Sequence, residues 1–162
     1  METMTRKAAD NTYLHRDFHN LLNLGIGYIR RHYGPDAVCR YLNNFASSFY
    51  APLIDDIRAR RLDAVEEAFR NTFKIEEASE YLHCDRLDGQ LFIRIEKCPA
   101  VEHMQRSGVE PDTMFSATTS VVWSQIAQAA DLGYLMIEYD QTTGHAVHLF
   151  YEKHDPQQEA QS

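Results

Sequence analysis

The hydrophobic period of the chain changes near residue 80, from the period of helices to the period of strands. Residues 12–76 repeat apolar side chains every three or four positions, as amphipathic helices do. Two later segments, 80–98 and 134–153, have the composition and turn signals of β-hairpins. This order predicts an α+β fold, with N-terminal helices packed on an antiparallel sheet built from two hairpins and further helices between the hairpins.

Glycine and proline mark the expected ends of the first helices. Gly34 and Pro35 separate the first helix from the second, and Pro52 opens a third. Asp63 and Glu66, three residues apart, predict a capping pair for a fourth helix. Two more helices are expected between the hairpins. One starts at Pro99, and the other covers 116–130 and is ended by Gly133.

The first hairpin is predicted to turn at Asp88 and Gly89, which accept the positive φ angles of a two-residue turn. With that turn Leu82 faces Ile95 and Cys84 faces Ile93, on an apolar surface. The opposite surface is polar, with charges of both signs: Tyr81, His83, Asp85, Phe92, Arg94 and Glu96.

The length of 162 residues and a hydrophobic content of 44% predict one globular domain. We expect that domain to span 11–154, with flexible tails at 1–10 and 155–162, because both ends are polar.

The net charge of −8 lacks a basic patch and argues against binding to nucleic acid. No apolar run reaches the about 20 residues that a membrane helix needs, so no membrane association is expected. Three widely spaced cysteines, Cys39, Cys84 and Cys98, form neither a disulfide framework nor a metal knuckle, which favours a reducing cytoplasm. No glycine-rich phosphate loop is present, and no cofactor is predicted.

Cys98 is the first candidate for chemistry, because the segment "RIEKCPAVEHM" (94–104) changes from strand to helix at this residue. Pro99 places Cys98 at the cap of the helix, where free N–H groups and the helix dipole lower the pKa of a thiol. The sequence therefore predicts a reactive thiolate beside an anion-binding helix end. The alternative is that Cys98 is a small apolar residue filling a tight corner.

Two neighbours of Cys98 are further catalytic candidates. Glu102 lies one helical turn after Cys98 and is a candidate general base, although a glutamate there also complements the helix dipole. His103 is a candidate proton carrier, or equally a surface side chain. His15 and His19 have the spacing of two metal ligands on one helix, but a third ligand is not identifiable, so no metal site is predicted.

Four stretches, in order, carry a resemblance to a known family: "KCPAVEHM", "GVEP", "TMFSATTSVVWSQIA" and "LGYLMIEYDQTTGHAVHLFYEK". Across residues 35–153 they resemble the L-2-amino-thiazoline-4-carboxylic acid hydrolase family of small bacterial and fungal proteins. Cys98-Pro99 is the strongest element of the likeness, supported by Thr118, Thr119 and the last hairpin. Further cysteines of the family pattern are replaced here by Ser116 and by Ala146-Val147, which argues against a thiol-rich or metal-centred mechanism.

The resemblance implies hydrolysis of a C–N bond in a small carboxylated cyclic amidine or amide. Ring opening requires attack at an sp² carbon, a proton for the leaving nitrogen and a group that holds the carboxylate. Cys98, Glu102 and His103 are the expected catalytic residues, with Cys98 either attacking the ring carbon or shaping the site while a water molecule attacks. Arg94, His83, Thr118 and Thr119 are the expected substrate-binding residues, with Arg94 paired to the carboxylate.

Two other classes of function remain open at the level of sequence. The same fold serves non-catalytic small-molecule sensors, because fold does not fix function. A third hypothesis is that the apolar helix faces form a homodimer, in an interaction protein or alongside either of the other functions.

Overall fold

The structure, a computed structural model, describes residues 17–153 and has the predicted α+β architecture over that range. The predictions for both tails and for His15 lie outside the described residues. Within 17–153, no helix is long and apolar enough to cross a lipid bilayer.

The elements follow the predicted order. The helices are α1 (Asp17–Tyr33), α2 (Pro35–Phe49), α3 (Ala51–Arg60), α4 (Leu62–Ile75), α5 (Pro99–Arg106) and α6 (Ala117–Ala129). The strands are β1 (Leu82–Leu87), β2 (Gln90–Ile95), β3 (Leu132–Tyr139) and β4 (Ala146–Glu152), and a single 3-10 turn (Ser79–Tyr81) precedes β1.

The four strands form one antiparallel sheet in the order β1-β2-β4-β3. The predicted register of the first hairpin is confirmed, with Leu82 opposite Ile95 and Cys84 opposite Ile93. The hairpins are joined at the centre of the sheet, where β2 pairs with β4 and Ile93 lies opposite His148. This pairing brings the end of β2, and therefore the start of α5, beside the turn of the second hairpin.

The core lies between the sheet and helices α4 and α6. The ring of Phe69 stacks on Trp123, with 4.5 Å between ring centroids, and meets Phe150 edge-on at 6.0 Å. On α4 the helical spacing of Val65, Phe69 and Phe73 predicts one buried stripe, and all three side chains are buried. Aromatic packing of this kind stabilises the contact beyond the area it buries.

On α1 the helical spacing predicts a buried stripe of Leu14, Phe18, Leu21, Leu22 and Ile29. Leu14 lies outside the described residues, and for the others the prediction is partly wrong. Ile26 is fully buried, and Leu22 and Ile29 pack against the core, whereas Phe18 and Leu21 are 46% and 65% exposed. The side of α1 that carries Asn23 faces inward. Asn23 is buried there and donates a hydrogen bond to the α5–α6 connection.

The expected capping pair of α4 is also wrong. Arg61, with φ of 56°, occupies the N-cap position, so Asp63 already lies inside the helix. Both Asp63 and Glu66 instead accept hydrogen bonds from Arg86 of β1, at 2.8 and 3.1 Å. The two carboxylates therefore join α4 to the sheet.

Gly133 does not end α6, as the sequence had predicted. The helix stops at Ala129, and Asp131 makes the reversal with φ of 57°. Gly133 lies inside β3, where a Cβ atom would come within 2.2 Å of the ring of Tyr151. The glycine is required by close approach of a neighbouring side chain.

The connection between α5 and α6 is fastened to α1 by a buried polar network. Asn23 donates to the carbonyl of Glu110 at 2.9 Å and accepts from the N–H of Asp112 at 2.7 Å. The Asp112 carboxylate accepts from Nε and Nη2 of Arg30, at 2.9 Å each, and from the Met114 N–H at 3.0 Å. Burial alone would raise the pKa of Asp112, but these hydrogen bonds outweigh it and the pKa is lowered.

We expect Asp112→Ala to lower the free energy of unfolding by about 2 kcal/mol, because it leaves a part-buried guanidinium without its anion. Urea denaturation of the full chain measures this change. The control is Asp55→Ala, whose carboxylate is 73% exposed beside Arg58 and should contribute less than about 0.5 kcal/mol. Equal effects of the two substitutions would contradict a structural role for the network.

His148 is a fully buried imidazole on the inward face of β4. Its Nδ1 lies 3.0 Å from the hydroxyl of Tyr134, and Nε2 has no hydrogen-bond partner among the described residues. Burial lowers the pKa of His148 to about 4.

The chain is expected to lose stability in mild acid because of His148. In the unfolded chain the histidine has a pKa of about 6.5 and binds a proton near that pH, whereas His148 of the folded chain stays neutral there. The free energy of unfolding therefore falls as the pH drops from 6.5 toward 4. We expect a loss of about 2 kcal/mol between pH 7 and pH 5, measured by urea denaturation, and a smaller loss in His148→Gln. An unchanged pH dependence in that variant would contradict the assignment.

Candidate functional site

The strand-to-helix seam at Cys98 has the predicted geometry. Cys98 is the N-cap of α5 with extended backbone angles, and Pro99 occupies the first position of the helix. The N–H of Cys98 donates to the carbonyl of Thr143 at 3.0 Å, which extends the β2–β4 pairing by one contact. The seam is thus fixed by the centre of the sheet.

The thiol of Cys98 packs under the turn of the second hairpin. A Cβ atom on Gly144 would lie 2.3 Å from the Cys98 Cβ, and the φ of 66° at Gly144 also favours glycine. On its other side Cys98 packs against a small apolar cluster: Ala100, Val101, Met104 and Phe115.

The predicted thiolate at Cys98 is wrong. Burial is the largest effect and raises the pKa of the thiol, with a smaller contribution from the negative charge of Glu76. The N–H groups of Val101 and Ala100 act in the expected direction and lower the pKa, but by less than burial raises it. The residue as a whole is half-buried, yet loss of water around the sulfur governs its chemistry, and the thiol is neutral at pH 7.

The α4–α5 cleft, as we call it, is a hollow of about 230 Å³ between the end of α4 and the first turns of α5. Its lining consists of Glu76, Glu77, Ala78, Glu80, Tyr81, Pro99, Glu102, His103 and Arg106. Two of the three residues predicted to be catalytic, Glu102 and His103, therefore line one cavity. Cys98 lies behind its Pro99 wall, close enough to Glu76 for the two groups to influence each other.

Glu76, on the lining of the cleft, is paired with His19 of α1, which lies outside the lining. His19 Nε2 lies 2.9 Å from Glu76 Oε1, and the two side chains are 14% and 7% exposed. The ring of His103 stands 6.3 Å from that of His19, measured between centroids. The pair joins α1 to the end of α4, directly beside α5.

The charge of the α4–α5 cleft is predominantly negative. Glu76, Glu77, Glu80 and Glu102 contribute four carboxylates, and Arg106 is the cation on the lining. Arg106 Nη2 donates to Glu102 at 2.6 Å, and its side chain is 72% exposed. A concave surface with this negative charge favours the binding of a small cation. The guanidinium of Arg106 lies at its rim.

Tyr139 lies close enough to Cys98 for the two groups to influence each other. Burial raises the pKa of this phenol to about 12, and the nearby Cys98 and Asp140 add to the effect. Tyr139 is therefore a neutral hydrogen-bond donor close to the thiol at pH 7.

The structure does not bring Arg94 and His83 to this cleft. They face each other on the outer surface of β1 and β2, where His83 lies 2.9 Å from Glu96. Thr118 and Thr119 occupy the first turn of α6 and are also outside the lining, with the Thr118 hydroxyl donating to the Phe115 carbonyl at 2.6 Å.

Sequence reasoning missed Glu76, Arg106 and Tyr139. Glu76 follows the last residue of α4, and no motif distinguishes it from the other acids of the sequence. Its position beside Cys98 results from packing between α1, α4 and α5. The pairing of Arg106 with Glu102 could have been predicted from the sequence, since the two residues lie four positions apart on one helix face.

His19 and His15 have the spacing of two metal ligands. The Nε2 atom of His19 instead lies within hydrogen-bonding distance of Glu76. Over residues 17–153, no group of three or more histidine, cysteine, aspartate or glutamate side chains is arranged to hold a metal ion.

No protein-family model, curated protein or solved structure matches the chain. The resemblance noted in the sequence therefore stays an expectation.

Alkylation of Cys98 by iodoacetamide should be slow at pH 7 and should accelerate only at a higher pH than alkylation of an exposed cysteine, because the thiol is neutral and buried. Mass spectrometry of the modified peptide in a Cys39→Ser, Cys84→Ser background follows this one thiol. A rate that reaches its plateau below pH 7 would restore the thiolate and contradict the burial argument.

Proposed function

We propose that the chain hydrolyses a C–N bond in a small cyclic amidine or amide that carries a carboxylate, and that the α4–α5 cleft is its active site. The reaction and the ring substrate are those that the resemblance in the sequence implies, and the observation that supports them is the convergence of Glu76, Glu102 and His103 on one cavity beside Cys98. These groups supply the proton transfers that ring opening needs.

The charge of the cleft fits an amidine better than a neutral ring. A protonated amidine is a planar cation whose N–H donors match the two oxygens of a carboxylate. Glu76 is paired with His19 and is 7% exposed. Because little water reaches this carboxylate, solvent weakens an ion pair between Glu76 and such a cation less than one at an exposed carboxylate. Glu102 and Glu80 add negative charge around it.

The carboxylate of the substrate requires a cation, and Arg106 replaces the predicted Arg94 in this role. Arg106 lies on the rim and already binds one carboxylate, that of Glu102. When the substrate carboxylate replaces Glu102 as the partner of Arg106, Glu102 becomes free to act as a base. Ligand binding and release of the base are then one event.

Water is the nucleophile in this mechanism because the Cys98 thiol is neutral. Glu102 or His103 takes a proton from water as its oxygen bonds to the ring carbon. The tetrahedral carbon then expels the ring nitrogen, which receives a proton from the same pair of residues and leaves as an amine. The sum is one water added and one C–N bond broken.

The second class of function, a binding module without catalysis, receives less support. The lining of the α4–α5 cleft is rich in charge, which does not favour the aromatic or lipid-like ligands of the sensor hypothesis. A cytoplasmic location is part of the proposal and is supported by the free cysteines Cys39, Cys84 and Cys98.

The proposal is tested by incubating the protein with 2-amino-thiazoline-4-carboxylate and with related cyclic amidines and amides, and detecting products that have gained one water. We expect Glu102→Gln and His103→Ala to lower kcat/KM by at least about 100-fold. Cys98→Ala should lower it by less than about tenfold.

Arg94→Ala is the matched control, because Arg94 is exposed on the sheet and outside the cleft. It should leave kcat/KM unchanged, whereas Arg106→Ala should raise KM. Binding without turnover would assign the site to a sensor. Turnover that survives both Glu102→Gln and His103→Ala would remove the α4–α5 cleft as the active site.

A further inference from the structure

Helix α1 carries apolar side chains on two opposite sides. Leu22, Ile26 and Ile29 face the core, yet the side of the helix that faces solvent is apolar as well. We call this side the α1 ridge, and its exposed residues are Phe18, Leu21, Leu24, Gly25, Tyr28 and His32. Helices with apolar residues on all sides are typically covered on all sides.

The composition of the α1 ridge is that of the centre of a protein interface. Its large side chains are well exposed, at 46% for Phe18, 65% for Leu21, 59% for Leu24 and 52% for Tyr28. None of its residues is Asp, Glu, Lys or Arg, although the chain as a whole has a net charge of −8. Interface centres are likewise rich in aromatic residues and poor in charge.

The spacing of the α1 ridge is that of a helix seam. Residues 18, 21, 25, 28 and 32 follow one another at steps of three, four, three and four. In a coiled coil this spacing brings each side chain of the seam into a hole between side chains of the facing helix. The α1 ridge is therefore suited to packing against another helix.

Gly25 has no steric reason within the single chain. A Cβ atom there would meet no side chain or neighbouring element within 4 Å, and its φ is not positive. Gly27 differs, because a Cβ atom there would lie 3.0 Å from Arg31 Nη1 and 3.1 Å from Asp112 Oδ2. A glycine inside a helix is less favourable than an alanine. The open place at Gly25 thus indicates a group from outside the chain that packs on the backbone of α1.

We propose that the α1 ridge binds the α1 ridge of a second copy of this chain, as two antiparallel helices related by a two-fold axis. The seam register that fills the open place seats Leu21 of each copy on Gly25 of the other. The same register pairs Phe18 with Tyr28 and brings the two copies of Leu24 together beside the axis. A parallel pair would set Gly25 against Gly25 and leave the place empty.

The apolar area of the α1 ridge matches what a stable dimer needs. Five side chains of roughly 200 Å² each, about half exposed or more, offer roughly 500 Å² of mostly apolar surface: Phe18, Leu21, Leu24, Tyr28 and the adjoining Tyr33. A standard interface buries about 800 Å² on each partner, of which about 450 Å² is apolar.

Other occupants fit the α1 ridge less well. Helices that lie on anionic lipid are rich in Lys and Arg, whereas this chain has a net charge of −8. Residues 1–12 have Met1 and Met4 as their large apolar side chains, and residues 154–162 have none, which is too little to cover five. The dimer goes beyond the hydrolase proposal and does not depend on it, because no residue of the α1 ridge lines the α4–α5 cleft.

Sedimentation velocity of the full chain between about 1 and 100 µM tests the dimer. We expect Leu24→Lys and Gly25→Gln to raise its dissociation constant at least about tenfold. The matched control is Leu87→Lys on β1, since Leu87 is 60% exposed against 59% for Leu24, and it should change the constant by less than about threefold. Gly25→Gln should raise the urea midpoint of the monomer, because glutamine favours a helix more than glycine does, so its effect on the dimer is separable from unfolding.

A charge exchange beside the two-fold axis tests the arrangement. Leu24→Lys and Leu24→Glu should each weaken the homodimer, and an equimolar mixture should form a heterodimer at least about tenfold tighter than either, as measured by native mass spectrometry. Disulfide cross-linking should join Phe18→Cys of one copy to Tyr28→Cys of the other, and should not join two Phe18→Cys chains.

A wild-type chain that stays monomeric at about 100 µM would overturn the proposal, and binding of that monomer to phosphatidylserine vesicles would assign the α1 ridge to a lipid surface instead. A dimer that Leu24→Lys leaves intact would place the interface on another face. A mixture of the two Leu24 variants that fails to pair, or a preferred cross-link between two Phe18→Cys chains, would contradict the antiparallel arrangement.

Discussion

The contact between Glu76 and His19 is the interaction on which the site depends. A carboxylate that is 7% exposed is costly without a partner, and His19 supplies that partner from a different helix at 2.9 Å. The contact brings α1, the end of α4 and the start of α5 to one point. It also fixes a negative charge near Cys98, which adds to burial in keeping the thiol neutral.

A neutral thiol changes the chemistry that the helix start can perform. The cap of α5 does present N–H groups toward Cys98, as the position of Pro99 requires. The effect of burial is larger and keeps the thiol neutral, so the proposed mechanism gives Cys98 no role as a nucleophile. In the proposed mechanism, acid–base catalysis is assigned to Glu102 and His103 on the following turn, which line the cleft.

Much of the fold could be predicted from sequence because its signals are local. The period of α4, the Asp88-Gly89 turn and the Cys98-Pro99 seam each depend on a few adjacent residues, and each is confirmed. The pairing of β2 with β4 depends on contacts between distant segments, and no local pattern specifies it. For the same reason Gly133 gave a false helix end, because the ring of Tyr151 that requires it comes from another strand.

The candidate site divides in the same way. Glu102 and His103 follow from their distance to Cys98 along one helix, whereas Glu76 and Tyr139 reach Cys98 only through tertiary packing. Arg94 and His83 were correctly placed together on one face of the hairpin, but that face is the outer one. Alternation along a strand shows which residues share a face, and it does not show which face meets the helices.

The account is tested most directly by NMR titration of the ¹⁵N-labelled chain with 2-amino-thiazoline-4-carboxylate, in the wild type and in Glu76→Gln. The account predicts amide shifts concentrated at residues 76–81 and 99–106 in the wild type, and much weaker binding in the variant. Shifts confined to the outer face of the sheet, or binding that Glu76→Gln leaves unchanged, would contradict it.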